Sequence, residues 1–278
     1  MSWRNDFSKE NVYFETDDGI LYCNDVVEQL FQFPDESIDL VVTSPPYDNL
    51  RYYSTKNEKE LEDIWNFEKF KVVAKELYRI MKKGGVVVWV VGDATIKGSE
   101  TGNSFRQALY FKDECGFRLH DTMIYEKSTS PFPMHNRYNQ LFEYMFVFSK
   151  KAPKTFHPIK VPTITGGQKR KKDGGYRQKD GTIKKAKYET RKPFKTKGNI
   201  WRYSVGGRRD NNHPAPFPEQ LAHDHIISWS NEGDIILDPL CGSGTTLKMA
   251  EKLNRKWIGI EINPEYCEIA KQRILKEL

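Results

Sequence analysis

Apolar residues recur along this chain in two alternating rhythms. Short, mainly apolar runs read as strands covered on both faces: Ile20–Cys23, Ile38–Thr43, Val86–Val91, Ile235–Leu237 and Trp257–Ile260. Between them, apolar positions spaced three and four apart predict helices. The clearest spans 61–81, where Phe67, Phe70, Val73, Ala74, Leu77, Ile80 and Met81 share one face. Lys82-Lys83-Gly84-Gly85 is expected to end it, with cations at the negative helix terminus and glycine beyond. Further helices are expected at Val26–Phe31, Ser104–Cys115, Pro218–Trp229, Thr245–Leu253 and Pro264–Leu278. Phe117–Tyr125 and Phe142–Phe148 read as an antiparallel strand pair. Strands alternating with helices predict an α/β fold around a mostly parallel sheet, seven-stranded if that pair is included. In such sheets ligands bind past the carboxyl ends of strands, where the winding reverses. Ser44, Asp238, Glu261 and Asp25 all fall just past such ends.

Length and charge refine this picture. At 278 residues the chain suits one catalytic body with a smaller inserted element. The longest apolar run, Gly84–Val91, is too short for a membrane span. The segment Met1-Ser2-Trp3-Arg4-Asn5-Asp6 lacks the basic and apolar start of a secretion signal. Cys23, Cys115, Cys241 and Cys267 form no CxxC pair, so neither a metal site nor a disulfide framework is expected, and a reducing cytoplasmic setting is the default. The net charge of +6 hides an asymmetry: Lys150–Lys197 holds 17 Lys or Arg against Asp173, Asp180 and Glu189, a net +14, leaving −8 elsewhere. Residues 1–149 and 210–278 therefore read as one body and 150–209 as a basic insert. A basic block on an acidic body fits a polyanion partner. Lys169-Arg170-Lys171-Lys172-Asp173-Gly174-Gly175 also has the composition of a solvated, disordered loop, and such a loop can order on its partner.

Two loops carry the candidate chemistry. Asp238-Pro239-Leu240-Cys241-Gly242-Ser243-Gly244-Thr245-Thr246 runs from a strand into a helix. Its glycines let backbone approach a ligand, and the helix start offers free amides and a positive dipole end. Glu261, 23 positions beyond Asp238 at the next strand end, suits a pair of ribose hydroxyls. A lone Gly-x-Gly is more often a plain tight turn; the flanking Asp238, Thr245 and Glu261 favour a ligand. A phosphate loop is disfavoured because no Gly-Lys-Ser/Thr ending follows, and a nicotinamide loop because its third glycine position falls on Leu247. The other loop, Thr43-Ser44-Pro45-Pro46-Tyr47, ends a strand at paired prolines. No Pro-Cys pair exists, since Leu240 precedes Cys241, so a cysteine nucleophile is not expected.

Together these loops resemble those of the beta-type, circularly permuted amino-methyltransferases of DNA, in which the catalytic loop precedes the cofactor loop. The resemblance covers most of the chain outside the basic insert. It implies a Rossmann-like class I methyltransferase fold, with the strand at Ile20–Cys23 supplying the one that an unpermuted chain would add after Glu261. It implies S-adenosyl-L-methionine as cofactor, held by Asp238, Pro239, Leu240, Gly242, Ser243, Gly244, Thr245 and Glu261. His213 and Phe217, in a Pro-rich segment, would pack on its methionine end. Asp25 would bind the adenine amino group, or else merely cap the helix at Val26. Ser44, Pro45, Pro46 and Tyr47 would be catalytic: Ser44 Oγ and the rigid Pro45 carbonyl accept the amino hydrogens, and Tyr47 stacks on a base flipped from the duplex. Positioning of this kind lowers a barrier by up to about 7–11 kcal/mol. Double-stranded DNA is the implied partner, contacted by Tyr125, Lys127, Arg137, Lys169, Arg170, Lys171, Lys172, Arg202, Arg208 and Arg209. A cognate restriction endonuclease is the implied functional partner of restriction-modification members. Ser-Pro-Pro-Tyr is commoner among N4-cytosine enzymes and Asp-Pro-Pro-Tyr among N6-adenine ones, so cytosine N4 is favoured. Adenine N6, an RNA substrate and an inactive DNA-binding homologue stay open.

Overall fold

The computed structural model describes residues 3–46, 65–128, 136–173, 175–204 and 218–278. They divide into two compact units, residues 1–157 with 199–278, and residues 158–198.

The larger unit is built on one sheet. Its strands are β1 (Val12–Glu15), β2 (Gly19–Cys23), β3 (Ile38–Thr43), β4 (Met81–Val91), β7 (Arg118–Lys127), β8 (Phe142–Ser149), β13 (Ile200–Tyr203), β14 (Ile235–Asp238) and β15 (Lys256–Glu261). Their order is β1-β2-β15-β14-β3-β4-β8-β7-β13. The five strands from β2 to β4 are mutually parallel; β8 is antiparallel to β4 and β7, and β1 to β2. The sheet therefore has nine strands rather than seven. The additions are its two edges. Both are four residues long and only alternately covered, so neither presents an apolar run. Ile200–Tyr203, from the basic stretch, joins the large sheet because Trp201 and Tyr203 bury there while Ile200 and Arg202 face out.

The helices are α1 (Val26–Phe31), α2 (Phe67–Ile80), α3 (Asn103–Leu109), α4 (Glu219–Trp229), α5 (Thr245–Lys252) and α6 (Pro264–Leu275). In α2 the residues Phe70, Val73, Ala74, Leu77 and Ile80 are buried, which is the face read from the sequence. Asn66 caps it by accepting a 2.9 Å bond from the Lys69 amide. The Lys82–Gly85 stretch does not terminate a helix at Met81: α2 ends at Ile80 and β4 already begins at Met81. Met81 pairs with Ile38 and is fully buried, and the extra residues before Val86 are taken up as an irregularity opposite β3. Gly84, at φ +86°, allows that detour while its amide bonds the Lys150 carbonyl. The expected 104–115 helix is α3 followed by a wider π-helical turn at Tyr110–Glu114, which aims Phe111 into the core against Trp89 and Phe148.

Chain direction matters most at β14 and β3. These neighbours are parallel, but β14 leads to β15 on one side and β3 to β4 on the other. The winding reverses between them, which opens a crevice beyond their carboxyl ends.

The smaller unit is one long two-stranded ribbon. Its ladders pair β9 (Lys160–Pro162) with β12 (Phe194–Thr196), and β10 (Lys169–Asp173) with β11 (Lys187–Thr190). The basic run at 169–173 is thus a strand. Among its described residues none is buried.

Candidate active site

The crevice is closed at its floor by side-chain bonds between the two loops. Thr43, the last residue of β3, donates from Oγ1 to Asp238 Oδ1 at 2.7 Å. Thr246, on the first turn of α5, donates from Oγ1 to the Val42 carbonyl at 3.0 Å. Ser44 follows Thr43 directly, half-buried, and Pro45 is buried. The chain segments carrying Ser44 and Gly244 thus meet at one end of the sheet. Tyr47 lies outside the described residues.

The glycine loop is shaped by its own backbone. The Cys241 amide bonds the Ile260 carbonyl at 3.0 Å, and the Gly244 amide bonds the Cys241 carbonyl at 2.8 Å. Gly242 and Gly244 adopt φ of +50° and +74°, a region that L side chains rarely enter. A Cβ on Gly244 would also stand 2.7 Å from Cβ of Ala270. Pro239 and residues 241–245, including Ser243 and Thr245, are buried; Leu240 is half-buried, and its amide donates to Asp238 at 3.2 Å.

Two acids flank this loop. Asp238 is buried, and burial pushes its carboxyl up to about 6 against the opposing bonds from Thr43 and the Leu240 amide. Glu261 accepts from the Gly242 amide at 2.9 Å and the Asn263 amide at 2.8 Å. Burial, with a smaller push from the neighbouring Asp238, raises it to about 7 against the two amide bonds. The groups that bear on Glu261 are thus backbone amides and another acid. A ligand that brings positive charge and hydroxyl donors satisfies such a pair, and S-adenosylmethionine carries an ammonium, a sulfonium and two ribose hydroxyls.

Asp25 stands where β2 ends, and the Asn24 amide bonds the Glu261 carbonyl. Its Oδ1 caps α1 by accepting from Val27 N at 2.8 Å, and its Oδ2 pairs with Lys69 of α2. Both carboxylate oxygens thus have intramolecular partners. His213 and Phe217 lie outside the described residues, as do Arg208 and Arg209.

The other expected DNA contacts are spread out. Tyr125 is buried in β7 beside Tyr203, and burial raises its hydroxyl far above the ordinary range. Lys127 pairs with the buried Glu143 of β8. Arg137 donates at 2.6 Å to the Gly98 carbonyl and at 3.3 Å to Thr95 Oγ1, holding the small hairpin of β5 (Thr95–Ile96) and β6 (Ser99–Glu100). Arg202 is exposed and pairs with Glu126. Lys169, Arg170, Lys171 and Lys172 are exposed on β10.

Arg273 is not among the residues that the sequence singles out. It is buried in α6, and its Nη1 donates to the Ser243 carbonyl at 2.6 Å, to Ser243 Oγ at 2.9 Å and to Thr245 Oγ1 at 3.1 Å. Its Nη2 bonds Glu219 at 2.8 Å, tying the glycine loop to the first turn of α4. Nothing local in the sequence marks it, because its partners lie about 30 and 54 positions away.

Among the described residues no cluster of His, Cys, Asp or Glu is arranged to hold a metal ion, and no helix is long and apolar enough to cross a membrane.

A switch-point crevice with a glycine loop, a buried acid and a half-buried one at successive strand ends defines an α/β methyltransferase of class I. The solved N4-cytosine-specific PvuII DNA methyltransferase shares this fold at a TM-score of 0.69 over 95% of this chain and 89% of that one, with 24% identity. A putative DNA modification methylase of Thermus thermophilus, solved with S-adenosylmethionine, matches at a TM-score of 0.60 and 25% identity over 92% and 95% of the two chains. In sequence, the orphan methyltransferase M.BamHII of Bacillus amyloliquefaciens is 55% identical over 86% of this chain and 89% of its own. The DNA adenine methyltransferase YhdJ of Escherichia coli K12 is 30% identical over 90% and 80%. Residues 38–272 match the DNA methylase family of N6 and N4 methyltransferases, and this chain belongs to that family. It is an S-adenosylmethionine-dependent methyltransferase that acts on DNA.

Proposed function

We propose that the enzyme methylates the N4 amino group of cytosine in double-stranded DNA. The observation that carries this reading is the junction of the two loops: Ser44 is held beside Asp238 through the 2.7 Å bond from Thr43. An exocyclic amine is a poor nucleophile because its lone pair is delocalised into the ring. Ser44 Oγ and the Pro45 carbonyl, fixed by the Pro45-Pro46 pair, would accept its two hydrogens and localise that pair on nitrogen. Tyr47 would stack on the flipped base. Asp238 and Glu261 would hold the ammonium and ribose of S-adenosylmethionine. Pro239, Leu240, Gly242, Ser243, Gly244 and Thr245 would shape its pocket, and His213 and Phe217 would cover the methionine end. Asp25 acts in this reading through the cap that shapes the start of α1. Bound there, the cofactor supplies the methyl group.

Serine at position 44 and the fold shared with an N4-cytosine-specific enzyme support cytosine. Adenine N6 is the second reading, supported by the 30% identity to an adenine methyltransferase. Incubation of the protein with isotope-labelled cofactor and plasmid DNA, followed by nucleoside digestion and mass spectrometry, separates them. N4-methylcytosine is expected. N6-methyladenine alone would replace the first reading by the second, and label in RNA but not DNA would remove both.

The basic insert 150–209 would be the target-recognition element and 1–149 with 210–278 the catalytic body. Arg202, Arg208 and Arg209 would contact DNA together with cations on one face of the ribbon's Lys169–Lys172 stretch, whereas Tyr125, Lys127 and Arg137 would act by bracing the catalytic body, where each has its partners. The name of the 55% identical relative, an orphan methyltransferase, supports a solitary enzyme over one paired with a restriction endonuclease; a DNA substrate would place it at the nucleoid.

A further inference from the structure

The ribbon 158–198 carries 14 Lys or Arg and only three acids, and all three acids are engaged within it. Asp173 pairs with Lys184 at 2.6 Å. Asp180 accepts from the amide and hydroxyl of Thr182 at the tip. Glu189 accepts from Arg170 Nε at 2.7 Å and pairs with Lys172 at 3.3 Å, which holds its carboxyl below the usual range. The acids are not spread evenly over the ribbon's two faces. Successive strand residues point to opposite faces, and directly paired residues share one. Arg170 stands opposite Glu189, so that face carries its own countercharge. Lys169 stands opposite Thr190, and Lys171 opposite Tyr188, on the other face. There two cations, an exposed tyrosine and a hydroxyl stand together, and Tyr188 is 63% exposed. Past the irregularity after Lys171, Asp173 pairs with Lys187, next to Tyr188, and so falls on the Glu189 face.

We infer that duplex DNA docks on the Lys169, Lys171, Tyr188 and Thr190 face of the ribbon, and not on the face of Arg170 and Lys172. This rests on the assignment of DNA as substrate. The occupant follows from charge: a cationic face without an acid, backed by one on which Glu189 and Asp173 already engage Arg170, Lys172 and Lys184, offers its uncommitted cations to a polyanion from one side. Its shape fits as well, because the major groove of B-DNA admits a two-stranded ribbon. Tyr188 offers an apolar ring to base edges and Thr190 a hydroxyl to base or phosphate. A two-stranded ribbon without a core is marginal alone, so DNA would also stabilise it.

The test uses the full-length protein and a labelled duplex of mixed sequence, with affinity measured by anisotropy across a salt series. Each phosphate contact contributes about 0.9 to the slope of log affinity against log salt. The double variant Lys169→Gln, Lys171→Gln should lower that slope by about 2 and weaken binding on the order of tenfold or more. Arg170→Gln, Lys172→Gln should leave the slope nearly unchanged. Methyl green, which occupies the major groove, should compete, and netropsin, which occupies the minor groove, should not. Equal slope losses in both double variants, or no loss in the first, would overturn the face assignment. Competition by netropsin alone, or tighter binding to single strands than to duplex, would overturn the groove. Methyl transfer to plasmid DNA by the unaltered protein is read separately, so loss of this inference leaves the enzymatic reading standing.

Discussion

Thr43 and Asp238 stand 195 positions apart in sequence and share a 2.7 Å hydrogen bond at the point where the sheet's winding reverses. The bond couples the residue before Ser44 to the acid that opens the glycine loop. It also opposes the burial that pushes Asp238 up to about 6. Replacing Thr43 by Val keeps the shape and removes the donor. The buried carboxylate then loses a partner, at a cost of about 1–3 kcal/mol. Asp238 should titrate higher, so cofactor affinity should fall, and fall most on the acid side of neutrality. Calorimetric titration with cofactor at several pH values checks this; an affinity loss independent of pH would contradict it.

The two raised acids set a pH dependence of their own. Asp238 and Glu261 bind protons more tightly in the folded chain than in the unfolded one, with values of about 6 and about 7. Their contribution to stability is therefore greatest at acid pH and declines as pH rises from the ordinary carboxylate range through about 7. Ionised acids are the form that receives a cationic ligand. Thermal stabilisation by S-adenosylmethionine should accordingly grow across the same interval. Melting curves with and without cofactor measure it, and Glu261→Gln should flatten both trends.

Arg273 predicts a different signature. It touches the glycine loop from behind, through Ser243 and Thr245, and anchors on Glu219. Arg273→Met should destabilise the fold by about 2 kcal/mol, since charge-assisted bonds are lost while Glu219 keeps partial solvent exposure. The KM for cofactor should rise several-fold with a smaller change in kcat, as expected when binding geometry rather than the reacting groups is disturbed. Steady-state kinetics at saturating DNA separates the two, and Arg273→Lys should restore part of the loss.

Gly244 is constrained twice, by its φ of +74° and by Ala270 at 2.7 Å from the position of a Cβ. Gly244→Ala should cost about 1–3 kcal/mol. Adding Ala270→Gly relieves the clash but not the backbone strain, and itself costs about 1 kcal/mol in a helix. Denaturant titrations of the single and double variants should therefore show coupling between the sites. Strict additivity would indicate that the loop shifts away from α6 instead.

Sequence rhythm reveals the strands that are covered on both faces. β3 is legible residue for residue, because Ile38–Thr43 is a largely apolar run, broken only by the half-buried Asp39 and bounded by Ser37 and Ser44. The half-covered edges β1 and β13 present no such run, and their pairing is decided by distant chain. The stop after α2 is misplaced at Met81 by sequence alone, because a long-range bond, Gly84 to Lys150, draws the Lys-Lys-Gly-Gly stretch into the sheet. At the site, Asp238 and Glu261 are visible because strand ends, glycines and acids lie close in sequence. Thr43 as a donor, Lys69 beside Asp25, and Arg273 behind the loop are not, since each acts on a partner that only folding brings near.

The position of β14 and β15 has a consequence for biosynthesis. These strands follow β2 and β3 by some two hundred positions, yet they occupy the interior of the sheet between them. While the ribosome is still translating, β2 and β3 emerge with open hydrogen-bonding edges and no mutual neighbour. Native pairing waits for the closing segment, a contact of high sequence separation that folds slowly and leaves nascent chains prone to aggregate. A prematurely terminated product would lose both its glycine loop and the wedge that unites the two halves of its own sheet.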